Sequence, residues 1–239
     1  MQDHGLRRYN AALFLFMNIE ELMALAIFDL DNTLLAGDSD YLWGQFLSEQ
    51  GIVDRHTYEQ QNQRYYDAYK EGTLDIYEFL AFSLKPLADN DLDRLNRLHR
   101  QFMAEKIRPI MSQSAFALVE KHRVAGDTLM VITATNSFVT APIVKAFGID
   151  NLLATEPEKN SHGYTGRVAG VPCFQQGKVT RLQNWLETNQ RDLKGSWFYS
   201  DSHNDLPLLR QVEHPVAVVP DVQLAQVAKE NNWPVISLR

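Results

Sequence analysis

Apolar residues occur along this chain in two distinct rhythms. The short runs Ala24–Leu30, Thr128–Thr133, Ser196–Ser200 and Val216–Val219 carry few polar interruptions, the pattern of strands buried on both faces. Pro234–Ser237 predicts a further edge strand. Between these runs, helical patterns cover Ser114–Arg123, Ser137–Phe147, Lys178–Glu187, Asp205–Val212 and Asp221–Glu230, with Gly126 a stop after the first. Strands alternating with helices predict an α/β fold built on a doubly wound parallel sheet.

One stretch breaks the alternation. Asp38–Arg108 holds no strand pattern, but helical patterns over Tyr41–Gln50, Thr57–Lys70, Asp75–Leu84 and Asp89–Lys106. It predicts an all-helical insertion (38–108) after the first strand, dividing an α/β core made of 23–37 and 109–239. Leu152–Val168 predicts a short hairpin turning at Asn160-Ser161-His162-Gly163. Upstream, the apolar run Ala11–Met17 after Arg7 and Arg8, with small residues Ala24 and Ala26 further on, has elements of a secretory signal. Glu20 and Glu21 interrupt it, however, and cleavage after Ala26 would destroy the first strand. The run is also too short to span a bilayer. Residues 1–22 are therefore expected to be an appendage, or the product of a start placed upstream of a natural one at Met23, and the protein cytoplasmic.

Composition narrows the classes. At 239 residues, 45% hydrophobic and 22% charged, the chain is an ordinary globular one, long enough to bury a core without staples. A single cysteine, Cys173, excludes an internal disulfide framework, and it is expected to be buried and inert. The net charge of −7 and the absence of a basic stripe argue against a nucleic-acid partner, and no segment reads as a membrane span.

The candidate chemistry sits where the strands are predicted to end. Phe28-Asp29-Leu30-Asp31-Asn32-Thr33-Leu34 places two carboxylates two residues apart, on one side of the chain if extended geometry persists that far. Thr133-Ala134-Thr135-Asn136 and Ser200-Asp201-Ser202-His203-Asn204-Asp205 lie at two other strand ends, and Lys178 at a helix start. Ligands of open α/β sheets bind beyond the carboxyl ends of the strands. Four acids, a hydroxyl and a lysine gathered there suit phosphoryl transfer to a carboxylate. Crowded carboxylates repel one another and an anionic phosphate, and a Mg²⁺ ion relieves both conflicts. Lysine and hydroxyl groups then bind the phosphoryl oxygens.

In order and spacing these segments resemble the four motifs of the haloacid dehalogenase-like hydrolase superfamily. The resemblance covers roughly Leu25 to the C-terminus and is strongest to the phosphoserine phosphatase-like branch, whose Rossmann-like core carries a helical cap after the first strand. It implies a Mg²⁺-dependent phosphatase of small phosphate esters. Asp29 would be the nucleophile, and Asp31 would protonate the leaving alkoxide and then activate water. Thr133, Ala134 and Lys178 would bind phosphate. The metal would be held by Asp29, the Asp31 backbone carbonyl and Asp201, with Asp205 a ligand or its supporting partner. Dehalogenases of the superfamily lack the second acid, so Asp31 argues against that chemistry.

Taken singly, each residue has a plainer reading: Asp31 in a turn, Thr133 as a strand-end hydroxyl, Lys178 as a solvated first-turn residue, Asp201 and Asp205 as helix-start acids. His203, His162 and His122 are expected at the surface. Asp38 has two readings, the helix cap before Tyr41 and the acid that in the phosphoserine phosphatase pattern meets a substrate amine. The insertion holds six of the nine tyrosines; Tyr65, Tyr66, Tyr69 and Tyr77 fit either a helical core or a pocket wall. Two departures bear on the substrate. Thr133-Ala134-Thr135 replaces the branch's Ser-Gly-Gly, and Ser83 falls where an arginine would meet the substrate carboxylate. A buried carboxylate without a cationic partner is costly, which disfavours phosphoserine. An amine and a ring without a carboxylate describe histidinol phosphate, the expected substrate. Phosphoserine, transfer to an alcohol through the same aspartyl phosphate, and a non-catalytic binding module are the alternatives.

Overall fold

The computed structural model describes residues 23–239; the segment expected as an appendage lies outside the described residues. Seven strands form one sheet: β1 (Leu25–Phe28), β2 (Thr128–Asn136), β3 (Asn151–Asn160), β4 (Gly163–Ala169), β5 (Trp197–Ser200), β6 (His214–Val218) and β7 (Val235–Ile236), in the order β4-β3-β2-β1-β5-β6-β7. All neighbours pair in parallel except β3 and β4. The predicted hairpin thus does more than fold on itself. Its first half, around Leu152 and Leu153, pairs with β2 and extends the parallel sheet, and only its second half pairs antiparallel with β4.

Strand β1 is central and shows why an uninterrupted apolar run is needed. Ala26 and Phe28 point into one layer with Leu129 and Val131 of β2, while Leu25 and Ile27 point into the other with Met130 and Ile132. The first layer is closed by α6 (Gln113–Ala125) and α7 (Ser137–Ala146), the second by α8 (Gln176–Asn189), α9 (Leu206–Leu209) and α10 (Val222–Glu230). Ser112 caps α6 through its hydroxyl, and Gly126 ends that helix at φ +86°. His122, expected at the surface, is buried instead. Its helix face meets β5, with Nδ1 2.6 Å from the Asp127 carboxylate and Nε2 2.8 Å from the Tyr199 hydroxyl. The expected helix at Asp205–Val212 shrinks to the four residues of α9, because a tighter turn over His203–Asp205 takes up its start.

Between β1 and β2 lie α1 (Ser39–Glu49), α2 (Arg55–Glu71), α3 (Ile76–Ser83), α4 (Lys85–Ala88) and α5 (Leu92–Phe102), the last continuing through Met103–Ile107. Asp38, Asp54, Asp75 and Asp91 cap four of these helices, each accepting one or two amides of the following turn. The insertion shares the core of the sheet: Trp43, Phe46 and Leu47 of α1 and Phe102 of α5 join the layer containing Phe28. A smaller cluster of Leu80, Leu84, Leu87 and Leu95 packs on Tyr164 and Val168 of β4. No helix among the described residues is long and apolar enough to cross a membrane.

The loop before α8 requires a glycine because of a close approach. A Cβ at Gly177 would lie 2.0 Å from the Pro172 carbonyl oxygen, and Gln175 beside it adopts φ +46°. Gly177→Ala must therefore push this loop or the first turn of α8 aside. The expected result is a loss of about 1–3 kcal/mol of stability in urea denaturation, the usual cost of overpacking.

Candidate active site

The chain leaves β1 at Asp29, whose amide still donates to the Tyr199 carbonyl (2.9 Å). It then makes one wide turn over Leu30–Leu34, closed by the Leu35 amide on the Leu30 carbonyl, with Asn32 at φ +56°. Extended geometry does not persist unbroken from Asp29 to Asp31, yet both residues line one cavity at the strand ends. Thr133, Ala134 and Thr135 from β2 line the same cavity, together with Asp38, Asp40, Tyr41, Tyr65, Tyr66 and Tyr69 of the insertion and its approach. Tyr77, by contrast, is 62% exposed and lines nothing. The aromatic residues of the insertion therefore divide between pocket wall and surface.

Beneath the cavity, the Lys178 ammonium is buried between two carboxylates, 2.7 Å from Asp29 Oδ1 and 2.7 Å from Asp205 Oδ1. Ser200 donates its hydroxyl to Asp205 Oδ2 at 2.7 Å, so both Asp205 oxygens have protein partners. Burial works against the lysine charge, but Asp205 and Asp29 overcome it and hold its pKa above the ordinary lysine value. Burial pushes Asp29 up to about 7, opposed by Lys178 and reinforced by Asp205 and Asp31. Lys178 reaches this position from the first turn of α8, where the tight loop at Gly177 sets the start of the helix.

Asp31 is held by groups from two directions. The Ser39 amide at the start of α1 donates to Oδ1 (2.6 Å), and the Thr135 hydroxyl donates to Oδ2 (2.8 Å), with Thr133 Oγ1 further off at 3.4 Å. Burial raises its pKa, and the Ser39 and Thr135 contacts oppose that rise. Asp38 is the cap of α1, its Oδ1 accepting the Asp40 and Tyr41 amides, and the residue also lines the cavity. Asp201 stands in an adjoining groove that shares Tyr66 and Tyr69 with the cavity, where Thr33 donates its hydroxyl to Oδ1 (3.2 Å). Burial, Asp29 and Asp205 together push Asp201 well above the usual carboxylate range.

His203 does not face solvent as expected. Its Nδ1 lies 2.8 Å from Asp221 Oδ2, and its ring closes on Gly72, where a Cβ would meet Nε2 at 2.8 Å. Asn204 next to it donates to the Tyr69 carbonyl (3.1 Å) and accepts from Gln175 (2.9 Å). The end of α2 thus rests directly on the loop that carries Asp201 and Asp205.

Thr135, Ser200 and Asp40 belong to this arrangement and were missed from sequence. Thr135 stands two residues after Thr133, and the strand period alone places both on one face. Asp40 gave no such signal. Ser83, at the position aligned with an arginine, is buried in α3 and does not line the cavity, and no lysine, arginine or histidine lines it.

No cluster of three or more Asp, Glu, His or Cys side chains among the described residues forms a ready metal cage. Mg²⁺ needs less: one or two carboxylates, with carbonyl, water and substrate oxygens for the rest. Asp29, Asp201 and the Asp31 carbonyl are hard oxygen donors, and the mutual repulsion of Asp29, Asp201 and Asp205 is the electrostatic demand that a cation meets. In its chemistry the donor set fits Mg²⁺.

Comparison with known proteins agrees with this geometry. A histidinol-phosphatase of Neisseria meningitidis serogroup C is 48% identical over 219 residues, 90% of this chain and 99% of the relative. A solved structure of a protein of unknown function from Bordetella pertussis Tohama I superimposes with a TM-score of 0.86 at 42% identity, covering 91% of this chain and 99% of that one. A substrate-bound phosphoserine phosphatase shares the fold at a TM-score of 0.67 and 15% identity, over 91% and 93% of the two chains. Residues 26–210 match the profile of the haloacid dehalogenase-like hydrolases. Its acids gathered at the strand ends and its sequence alike, the chain belongs to the haloacid dehalogenase-like hydrolase family and is an enzyme of the phosphatase type.

Proposed function

We propose that this enzyme is a Mg²⁺-dependent phosphatase whose substrate is the phosphate ester of a small amino alcohol, histidinol phosphate. One observation carries the substrate class: on its insertion side the cavity is lined by two carboxylates, Asp38 and Asp40, and by no cationic side chain. Such a cavity favours an ammonium on the leaving group and opposes a carboxylate, as in phosphoserine, because desolvated like charges repel strongly. The name borne by the Neisseria relative supports the same choice.

In this reading an Asp29 oxygen attacks phosphorus, an Asp29 O–P bond forms, and the P–O bond to the alcohol breaks. Asp31, its pKa raised by burial, gives its proton to the departing alkoxide. Water then attacks the aspartyl phosphate and passes a proton to Asp31, and the Asp29 O–P bond breaks to release phosphate. Thr135 and the Ser39 amide fix the Asp31 carboxyl for both transfers. Thr133, the Ala134 backbone and Lys178 hold the phosphoryl oxygens, and Asp205 with Ser200 holds Lys178 in place. Asp29, Asp201 and the Asp31 carbonyl would hold Mg²⁺, which when bound neutralises charge on the phosphoryl oxygens. The helices of the insertion act as a cap, and Asp38 takes the substrate amine.

A substrate panel tests the reading. With Mg²⁺, histidinol phosphate is expected to exceed both phosphoserine and an aryl phosphate in kcat/KM, and chelation is expected to abolish turnover until Mg²⁺ is restored. Equal turnover of histidinol phosphate and the aryl phosphate removes the substrate assignment. Asp29→Asn is expected to lower kcat by about 10⁴-fold or more, and Asp31→Asn by about 10²–10⁴-fold. Full activity in Asp29→Asn excludes the covalent route. Thr135→Val removes a hydrogen bond to a charged group worth about 1.5–3 kcal/mol, so kcat should fall roughly 10- to 100-fold in steady-state assays, with KM little changed.

A further inference from the structure

Asp40 is the second residue of α1 and lines the cavity beside Tyr41, Tyr65 and Tyr66. Its chemistry is unexplained by anything above. Asp38 uses one oxygen to accept two backbone amides, but no donor among the described residues reaches the Asp40 carboxylate. An acid in a first turn gains about 0.3–1 kcal/mol from the helix dipole. Asp40 is half-buried, so its carboxylate stays open to a ligand that enters the aromatic cavity it shares with Asp29, Asp31 and Asp38.

The rings next to it narrow the choice of partner. Tyr41 and Tyr66 are tilted with centroids 5.0 Å apart, and Tyr65 meets Phe79 edge-on at 5.4 Å. Both pairs line the cavity together with the Asp40 carboxylate, the combination that attracts a flat cationic ring through both charge and ring quadrupole. Besides burial and Asp31, the Asp40 charge pushes Asp38 up, so a single ammonium would match one and leave the other unmatched. A leaving group carrying an amine and, a few bonds away, a second N–H group matches both.

We propose that Asp40 is a specificity-determining residue that accepts a ring N–H of the leaving alcohol, an imidazolium, held against Tyr41, Tyr65 and Tyr66. The proposal rests on the amino-alcohol reading above and names what that reading leaves open, the partner of the ring. Asp38 and Asp40 then divide the work, one reading the amine and the other the ring.

Three compounds separate these roles: histidinol phosphate, its counterpart with a phenyl ring in place of imidazole, and its counterpart lacking the amine. The wild-type enzyme is expected to prefer the first over both others in kcat/KM. In Asp40→Asn the ratio of histidinol phosphate to the phenyl compound is expected to fall at least tenfold, mainly through KM, whereas Asp38→Asn lowers the ratio to the amine-lacking compound instead. If Asp40→Asn does not fold, Asp40→Ser, compatible with a first helical turn, provides the same ratio. A ring ratio within twofold of wild type in the Asp40 variant overturns the assignment. The two readings fail differently. A wild-type enzyme indifferent to the amine sinks the amino-alcohol reading itself. One that selects the amine but not the ring sinks only the role of Asp40.

Discussion

The site depends on one buried cation. Lys178 places its ammonium between Asp29 and Asp205, with only 3% of its side chain exposed. Without it, two carboxylates would share a low-dielectric space in which burial, Asp205 and Asp31 already push Asp29 up. An uncompensated buried charge of this kind costs about 3–5 kcal/mol, comparable to a large share of a domain's whole stability. The residues that hold Lys178 in register (Gly177 in its tight loop, Ser200 on the far oxygen of Asp205) therefore matter as much as the acids they serve.

The helical insertion is tied to the core at three places. The side chains of Trp43, Phe46 and Phe102 join the main apolar layer, α3 and α4 pack near the β4 edge, and the end of α2 rests on the His203–Asn204 loop. The first tie carries the start of α1 to the strand ends, which lets the Ser39 amide reach Asp31 and sets Asp38 and Asp40 on the cavity wall. A single helix start thus holds Asp31 through a backbone amide and contributes an acid to the cavity wall.

Much of this was legible in the chain. Continuous apolar runs mark strands buried on both faces, and the change from a period of two to a helical one marks the insertion, because burial imposes those periods locally. Asp29, Asp31, Thr133 and Lys178 could be gathered into one site because strand ends and helix starts of a parallel sheet face the same edge. Two of the three histidines expected at the surface were misjudged for a related reason, whereas His162 is exposed as expected. His122 and His203 have polar sequence neighbours, and their partners, Tyr199, Asp221 and Gly72, come from distant segments.

What the sequence by itself determined is the kind of fold and the kind of chemistry, since both follow from residue type, spacing and strand-end position. Only the tertiary structure decided that Asp205 is held by Lys178 and Ser200, that Thr135 rather than Thr133 makes the short contact to Asp31, and that Asp40 stands unpaired among tyrosines. The first two are a matter of a few ångströms between side chains as far as 104 residues apart. Such distances are set by how helices pack on the sheet, and local pattern carries no record of them.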